Sequence, residues 1–328
     1  MTEHAFEQTR WSLEDLLPSV EGPQFDQYLA DLKAAVAELE ASRDTLSPQI
    51  SEESFLHLMA LVEKISSLSQ RLGYYGGLWF YADTQDQDAL AYRGRMDKLL
   101  TDFRNRILFF ELWWKGLDDK TAGRLLAASG DTAYYLESLR RFKPHTLTEP
   151  EEKIINLKDV NGVQALETVY NMITTAFSFK IEIDGEVKEL TRGELMVYAR
   201  DPRPEVRAAA YQELYRVYGE HGNVLGQIYQ HVVRDWASEN LSLRKFTSPI
   251  SVRNLRNDIP DPVADTLLEV CRQNAGLFQR WFRLKADWLG MDKLRRYDIY
   301  APLSSADKTY PFPEAADIRD DMIDYIPF

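Results

Sequence analysis

The chain has 328 residues, 45% hydrophobic and 12% aromatic, which excludes a disordered or collagen-like polypeptide and suggests about two domains. Its 39 basic and 52 acidic side chains leave a net charge of −13, which argues against counterion-release binding to nucleic acid and against an anionic membrane surface. With a single cysteine, Cys271, no disulfide can form within the chain, so a reducing, cytoplasmic setting is expected.

The first ten residues are polar and hold no signal-peptide core. Phe25, Tyr28, Leu29, Leu32, Val36 and Leu39 recur at three-and-four spacing and predict a first amphipathic helix. Ser51 can cap a second, with Phe55, Leu58, Val62, Ile65 and Leu72 on its stripe. A third carries Leu99, Phe103, Ile107, Phe110 and Trp114 and stops near Gly116. Its apolar stretch 107–114 is broken by Glu111 and falls far short of the ~20 residues that span a membrane. Residues 118–142 read as two shorter helices broken at Gly130-Asp131. Together these segments predict a helical bundle.

Thr148-x-x-Glu151 is a capping-box pattern that opens a further helix, interrupted at Asn161-Gly162. The period then changes. Phe179, Ile181 and Ile183 alternate with Lys180 and Glu182 before Asp184-Gly185, predicting a small β-hairpin within residues 177–190. Thr191-x-x-Glu194 is a second capping box. Beyond Pro202 the stripes Val206, Ala210, Leu214, Val217 and Leu225, Ile228, Val232, Trp236 return to helix. Residues 247–262 read as a loop rich in Pro and Asn. Val263, Leu267, Val270 and then Leu277, Trp281, Leu284, Trp288 mark two last helical faces, with Gly290 as the stop. The last 28 residues carry six acids and two bases and are punctuated by prolines. The expected fold is mainly α, with a domain boundary near the hairpin: residues 1–190 and 191–328.

Candidate chemistry is sparse. The histidines are His4, His57, His145, His221 and His231, and no two lie four apart as H-E-x-x-H requires. His221 and His231, ten residues apart, would be rotated by ~280° on an unbroken helix. No Glu-x-x-His, Gly-x-Ser-x-Gly or Gly-rich phosphate loop occurs. Cys271 reads as a buried, inert thiol. Glu151-Glu152 and Asp320-Asp321 read as solvated helix surface, as do the basic spots Arg140-Arg141-Lys143 and Arg295-Arg296. Trp113-Trp114 and Tyr74-Tyr75-Gly76-Gly77 read as core and turn. On spacing alone, the catalytic and metal-binding residues are none and the substrate-binding residues unknown.

Four ordered stretches resemble the oligoendopeptidase F family, M3 zinc metalloendopeptidases related to thimet oligopeptidase. They are Trp11-Ser12-Leu13-Glu14-Asp15-Leu16; Arg203-Pro204-Glu205-Val206-Arg207 followed by Ala208-Ala209-Ala210-Tyr211; Ser248-Pro249-Ile250-Ser251-Val252-Arg253-Asn254 with Asn257-Asp258-Ile259-Pro260; and Arg296-Tyr297-Asp298-Ile299-Tyr300-Ala301-Pro302-Leu303. The resemblance runs from about Trp11 to about Pro313, and residues 318–328 do not follow the family's continuation. It implies an N-terminal helical oligopeptidase F domain followed by the opening helices of an M3 catalytic domain, together lining a groove that takes short peptides. In the family one zinc is held by the two histidines of H-E-x-x-H and a glutamate on a following helix, C-terminal to the region matched here. The resemblance therefore gives no residue of this chain a catalytic or zinc-binding role. The expectation is the N-terminal portion of a zinc oligopeptidase, inactive alone, by natural truncation, gene splitting or deliberate fragmentation. The alternatives are a non-catalytic helical module that binds peptides or a partner protein, and a purely structural scaffold. Because helices from Val206 to Leu289 would pack partly on elements the chain lacks, self-association or pairing with a C-terminal fragment is also expected.

Overall fold

The computed structural model describes residues 12–303. Residues 1–11 and 304–328, which include His4, Trp11, Asp320, Asp321 and the unmatched stretch 318–328, lie outside the described residues.

Three long helices form the first layer: α1 (Pro23–Ala41), α2 (Glu52–Ala82) and α3 (Gln87–Gly116). Each begins where the sequence supplies a start. Pro23 takes the first turn of α1, and Ser51 accepts the Ser54 N–H at α2. At α3, Asp86 Oδ1 accepts the N–H groups of Asp88 and Ala89 at 2.9 and 3.1 Å. Leu32, Val36 and Leu39 from α1 meet Phe55 and Leu72 from α2 and Trp114 from α3 in a fully buried core. The rings of Phe55 and Trp114 stack at 5.5 Å, and the indole N–H donates to the Leu136 carbonyl at 2.9 Å. That bond satisfies a polar group buried in an apolar core, which is otherwise costly. Tyr74-Tyr75-Gly76-Gly77 proves to be the interior of α2 rather than a turn. Gly76 is there for proximity: a Cβ on it would lie 2.9 Å from the Tyr92 ring of α3.

Two short helices, α4 (Asp119–Ala128) and α5 (Ala133–Arg141), flank a 3₁₀ turn in which Gly130 has φ 51°. The expectation that Arg140 is surface charge fails. Its guanidinium is largely buried and donates to the Trp114 and Leu117 carbonyls, each at 3.0 Å, at the C-terminus of α3. There it satisfies carbonyls that the helix leaves free.

The capping boxes form at both expected places: the Thr148 N–H donates to Glu151 at 2.9 Å and the Thr191 N–H to Glu194 at 2.8 Å. Helices α6 (Glu149–Asn161) and α7 (Val163–Thr175) break at Gly162, where a Cβ would sit 2.8 Å from the Lys158 carbonyl oxygen. The hairpin follows as β1 (Phe179–Ile183) and β2 (Glu186–Leu190), antiparallel, with Ile181 opposite Lys188. Asp184 and Gly185 turn it with φ 55° and 80°, the geometry anticipated for Asp-Gly. The buried side of β1 packs on α8 (Arg192–Tyr198) and α9 (Pro204–Glu220) through Leu195, Val206 and Ala210.

Helix α10 (Gly222–Ala237) runs into a π-helical turn (Ser238–Leu243), followed by α11 (Pro249–Arg256), α12 (Asp261–Gln273) and α13 (Ala275–Trp288). The stretch 247–262 was expected to be loop, but α11 occupies part of it. Ser248 accepts the Ser251 N–H, Pro249 fits the first turn and Val252 is buried, so capping and one apolar anchor outweigh the weak pattern. Cys271 was expected to be buried and is instead exposed on α12, because no element of the described fold covers that helix. Arg207 of α9 and Asp298 form a fully buried pair at 2.8 Å that holds the chain after α13 against α9. Among the described residues, no helix is long and apolar enough to cross a membrane. The architecture is mainly α with one small β-hairpin, as the sequence indicated.

Candidate functional site

A cavity of ≈ 610 Å³ opens where α3 and α6–α7 meet α10 and its π-helical continuation. One wall is fixed by asparagines. Asn156 of α6 donates to Asn105 of α3 at 2.8 Å, and Asn105 donates to the Lys153 carbonyl at 3.3 Å. The opposite wall is set by the π turn. The Arg244 N–H donates to the Glu239 carbonyl five residues back at 2.8 Å. Buried Asn240 donates to the Trp236 carbonyl at 2.9 Å. The wider turn redirects the chain, and Lys245 beside it takes φ 59°.

Arg244 is the centre of the charge network. It grips Glu152 of α6 bidentately at 2.7 and 2.8 Å and Glu239 at 2.6 Å, while its backbone carbonyl faces His145 Nδ1 at 2.8 Å. His145 stacks on Phe246 with ring centroids 3.6 Å apart. Glu152 is thus a buried ion-pair partner, not the solvated acid that the sequence suggested. Burial works against its charge, but hydrogen bonds from Arg244 and the Leu147 N–H hold its carboxyl below the usual range. Glu152, more than Glu239, likewise holds the Arg244 guanidinium above its ordinary range against desolvation.

Across the same cavity Asp159 of α6 approaches Asp235 and Glu239, with carboxylate oxygens within 4.8 Å of one another. Burial, then repulsion from Glu239 and Asp235, pushes Asp159 up to about 6. The oxygens of these three acids form a hard donor set. Among the described residues this is the one group of three or more His, Cys, Asp or Glu side chains within ligand reach, and it contains no histidine.

The described histidines are dispersed. His57 pairs with Glu38 at 3.0 Å, His145 lies on Phe246, and His221 caps the break between α9 and α10 while stacking on Phe177. His231 lies on the exposed face of α10. Among the described residues no histidine lies in a group of three or more His, Cys, Asp or Glu side chains within ligand reach. Of the cavity residues, Asp159, Asp235, Glu239 and Arg244 were not singled out by sequence reasoning, and Glu152 was read as solvated helix surface. Asp235 and Glu239 at four-residue spacing were the only local sign, and nothing local pairs them with Asp159.

Comparison with known proteins gives this geometry a setting. A family profile described as Oligopeptidase F matches residues 113–179, which run from the end of α3 to the start of β1. The chain is 25% identical over 322 residues to Oligopeptidase PepF of Bacillus subtilis, covering 94% of this chain and 46% of that protein. It is 25% identical over 308 residues to an oligoendopeptidase F homolog of Lactococcus lactis, covering 90% and 50%. In fold it matches the crystal structure of oligoendopeptidase-F from Enterococcus faecium with TM-score 0.73 and 21% identity, covering 86% of this chain and 56% of that one. The chain spans about half the length of the curated relatives it matches. The family resemblance carried by the motifs is borne out.

Proposed function

We propose that this chain forms the N-terminal portion of an oligoendopeptidase F-type zinc metalloendopeptidase that cuts short peptides in an enclosed groove, and that it supplies groove wall rather than the zinc centre. The observation that carries this reading is similarity to Oligopeptidase PepF of Bacillus subtilis along 94% of this chain but only 46% of that protein. The sequence supports the second clause, since no H-E-x-x-H occurs in the 328 residues. Among the described residues the dispersed histidines offer no substitute for it. No chemical step is assigned to residues of this chain. Their part is to shape and charge the groove, and the Asp159–Asp235–Glu239 side of the cavity would draw the positive N-terminus or basic side chains of a peptide. The single cysteine favours a cytoplasmic setting.

The test is metal analysis of the purified chain together with a quenched fluorescent peptide assay. The expected result is no stoichiometric zinc and no chelator-sensitive cleavage. Stoichiometric zinc with cleavage abolished by chelator would refute it. The acid-lined cavity also favours a second reading, a non-catalytic peptide-binding module. Calorimetric binding of a short basic peptide by the chain alone, lost in Asp159→Asn/Asp235→Asn, together with no cleavage when the uncovered part of the Enterococcus faecium enzyme is co-expressed, would select that reading.

A further inference from the structure

The α12–α13 hairpin is built as the interior of something larger. From residue 256 to residue 284 every position except Ala264 is exposed. Helix α12 buries no residue, and α13 buries only Lys285 and Ala286 near its end. Yet the exposed side chains are those of a core. Leu267, Val270, Leu277, Phe278, Trp281 and Trp288 are among ten large apolar residues of the hairpin that are 37–62% exposed. Trp281 and Trp288 pack edge to face on one another, at 5.7 Å. Helices of 13 and 14 residues are marginal in water unless an apolar face is covered. With side chains of roughly 150–200 Å² about half exposed, the ten offer on the order of 800 Å², the share that one partner contributes to a stable interface.

Charge separates this surface from the rest of the molecule. Residues 261–288 carry four acids and four bases and are neutral, in a chain of net −13. Loss of net charge with enrichment in Trp, Phe and Leu is the composition of an interface core rather than of a solvated face. The length of the related fold says what covers it. The chain accounts for 56% of the Enterococcus faecium oligoendopeptidase-F structure at TM-score 0.73, so a little under half of that fold has no counterpart here.

We propose that the exposed apolar surface of α12–α13 is the docking face for the half of the oligoendopeptidase F fold that this chain does not contain. The inference rests on the peptidase-portion reading above and adds the surface through which the two parts join. Cys271 is a built-in reporter: it is the lone cysteine, it is exposed, and it sits one helical turn from Leu267 and Leu268.

The experiment co-expresses the full chain with the part of the Enterococcus faecium enzyme that the match leaves uncovered, and follows maleimide labelling of Cys271. In the chain alone, at low micromolar concentration, labelling is fast and independent of protein concentration. In the co-purified 1:1 complex it slows at least tenfold. Leu277→Glu/Trp281→Glu, with an unchanged circular dichroism spectrum, abolishes co-purification. Slow labelling of the monomeric chain would overturn the proposal by showing that its own residues cover the face. Protection that grows with concentration would overturn it in favour of a second copy. Absence of a complex also overturns it. A complex whose Cys271 still labels rapidly, or peptidase activity retained with the double variant, would refute this docking face while leaving the peptidase reading intact.

Discussion

Replacing Arg207 by Met tests how the chain beyond α13 is held. Arg207 and Asp298 are both fully buried, and Asp298 accepts from Arg207 Nη2 at 2.8 Å and Nε at 3.3 Å. Arg207 Nη1 also donates to the carbonyls of Asp201 and Pro202 at 2.7 and 2.8 Å. Methionine fills much of the volume but leaves two carbonyls short of a donor and the carboxylate short of its buried cation. Removing one partner of a buried pair costs about 3–5 kcal/mol. Two features place the loss at about 3 kcal/mol, the lower end of that range. Arg295 still donates to Asp298 at 2.8 and 3.1 Å, and Lys285, whose ammonium is disfavoured by burial and then by Arg207, loses a repulsive neighbour. Urea unfolding at pH 7, followed by tryptophan fluorescence, measures it.

The pH dependence should follow the same pair. Burial opposes the charge of Asp298, but Arg295 and Arg207 hold its carboxyl down at about 2, from an ordinary 3.8. A depressed carboxylate contributes stability above its unfolded value and loses it as pH falls. The wild type should therefore lose about 2 kcal/mol between pH 4 and pH 2 through this group, and the variant less. A loss under about 1 kcal/mol at pH 7 in Arg207→Met would refute the reasoning.

Asp159→Asn should stabilise the protein by about 1–2 kcal/mol at pH 7, because a carboxyl raised to about 6 from 3.8 makes stability fall as pH rises between those values. Urea midpoints at pH 4 and pH 7 check it: the variant's advantage should vanish at pH 4. Gly162→Ala should destabilise by about 1–3 kcal/mol, since the new methyl would lie 2.8 Å from the Lys158 carbonyl oxygen. Thermal unfolding reads that change, and an unchanged midpoint would contradict it.

The parts of the fold that follow local rules were legible in the sequence. The α1 stripe, both capping boxes and the Asp184-Gly185 turn depend on residues within one or two turns of each other, and each formed as read. What required knowledge of distant neighbours was not legible. Glu152 looks like one of two adjacent surface acids until Arg244 arrives from 92 residues away. Arg140 looks like surface charge until the end of α3 presents its carbonyls. Arg207 gives no sign of burial without Asp298, which is 91 positions distant. Cys271 shows the converse failure. An amphipathic pattern announces a helix with an apolar side but not whether anything covers that side, and on α12 nothing in the described residues does. Of the candidate site, the Asp235–Glu239 spacing alone could be read locally. The cavity lies where α10 packs against α7, between the Gly162 break and the π turn after Ala237.

The most direct measurement is peptide cleavage by two parts mixed in one assay. The purified chain is assayed with a quenched fluorescent peptide and zinc, first alone and then co-expressed with the uncovered part of the Enterococcus faecium enzyme. The expected result is no chelator-sensitive hydrolysis by the chain alone and its appearance in the complex. Zinc-dependent cleavage by the 328-residue chain by itself would contradict it.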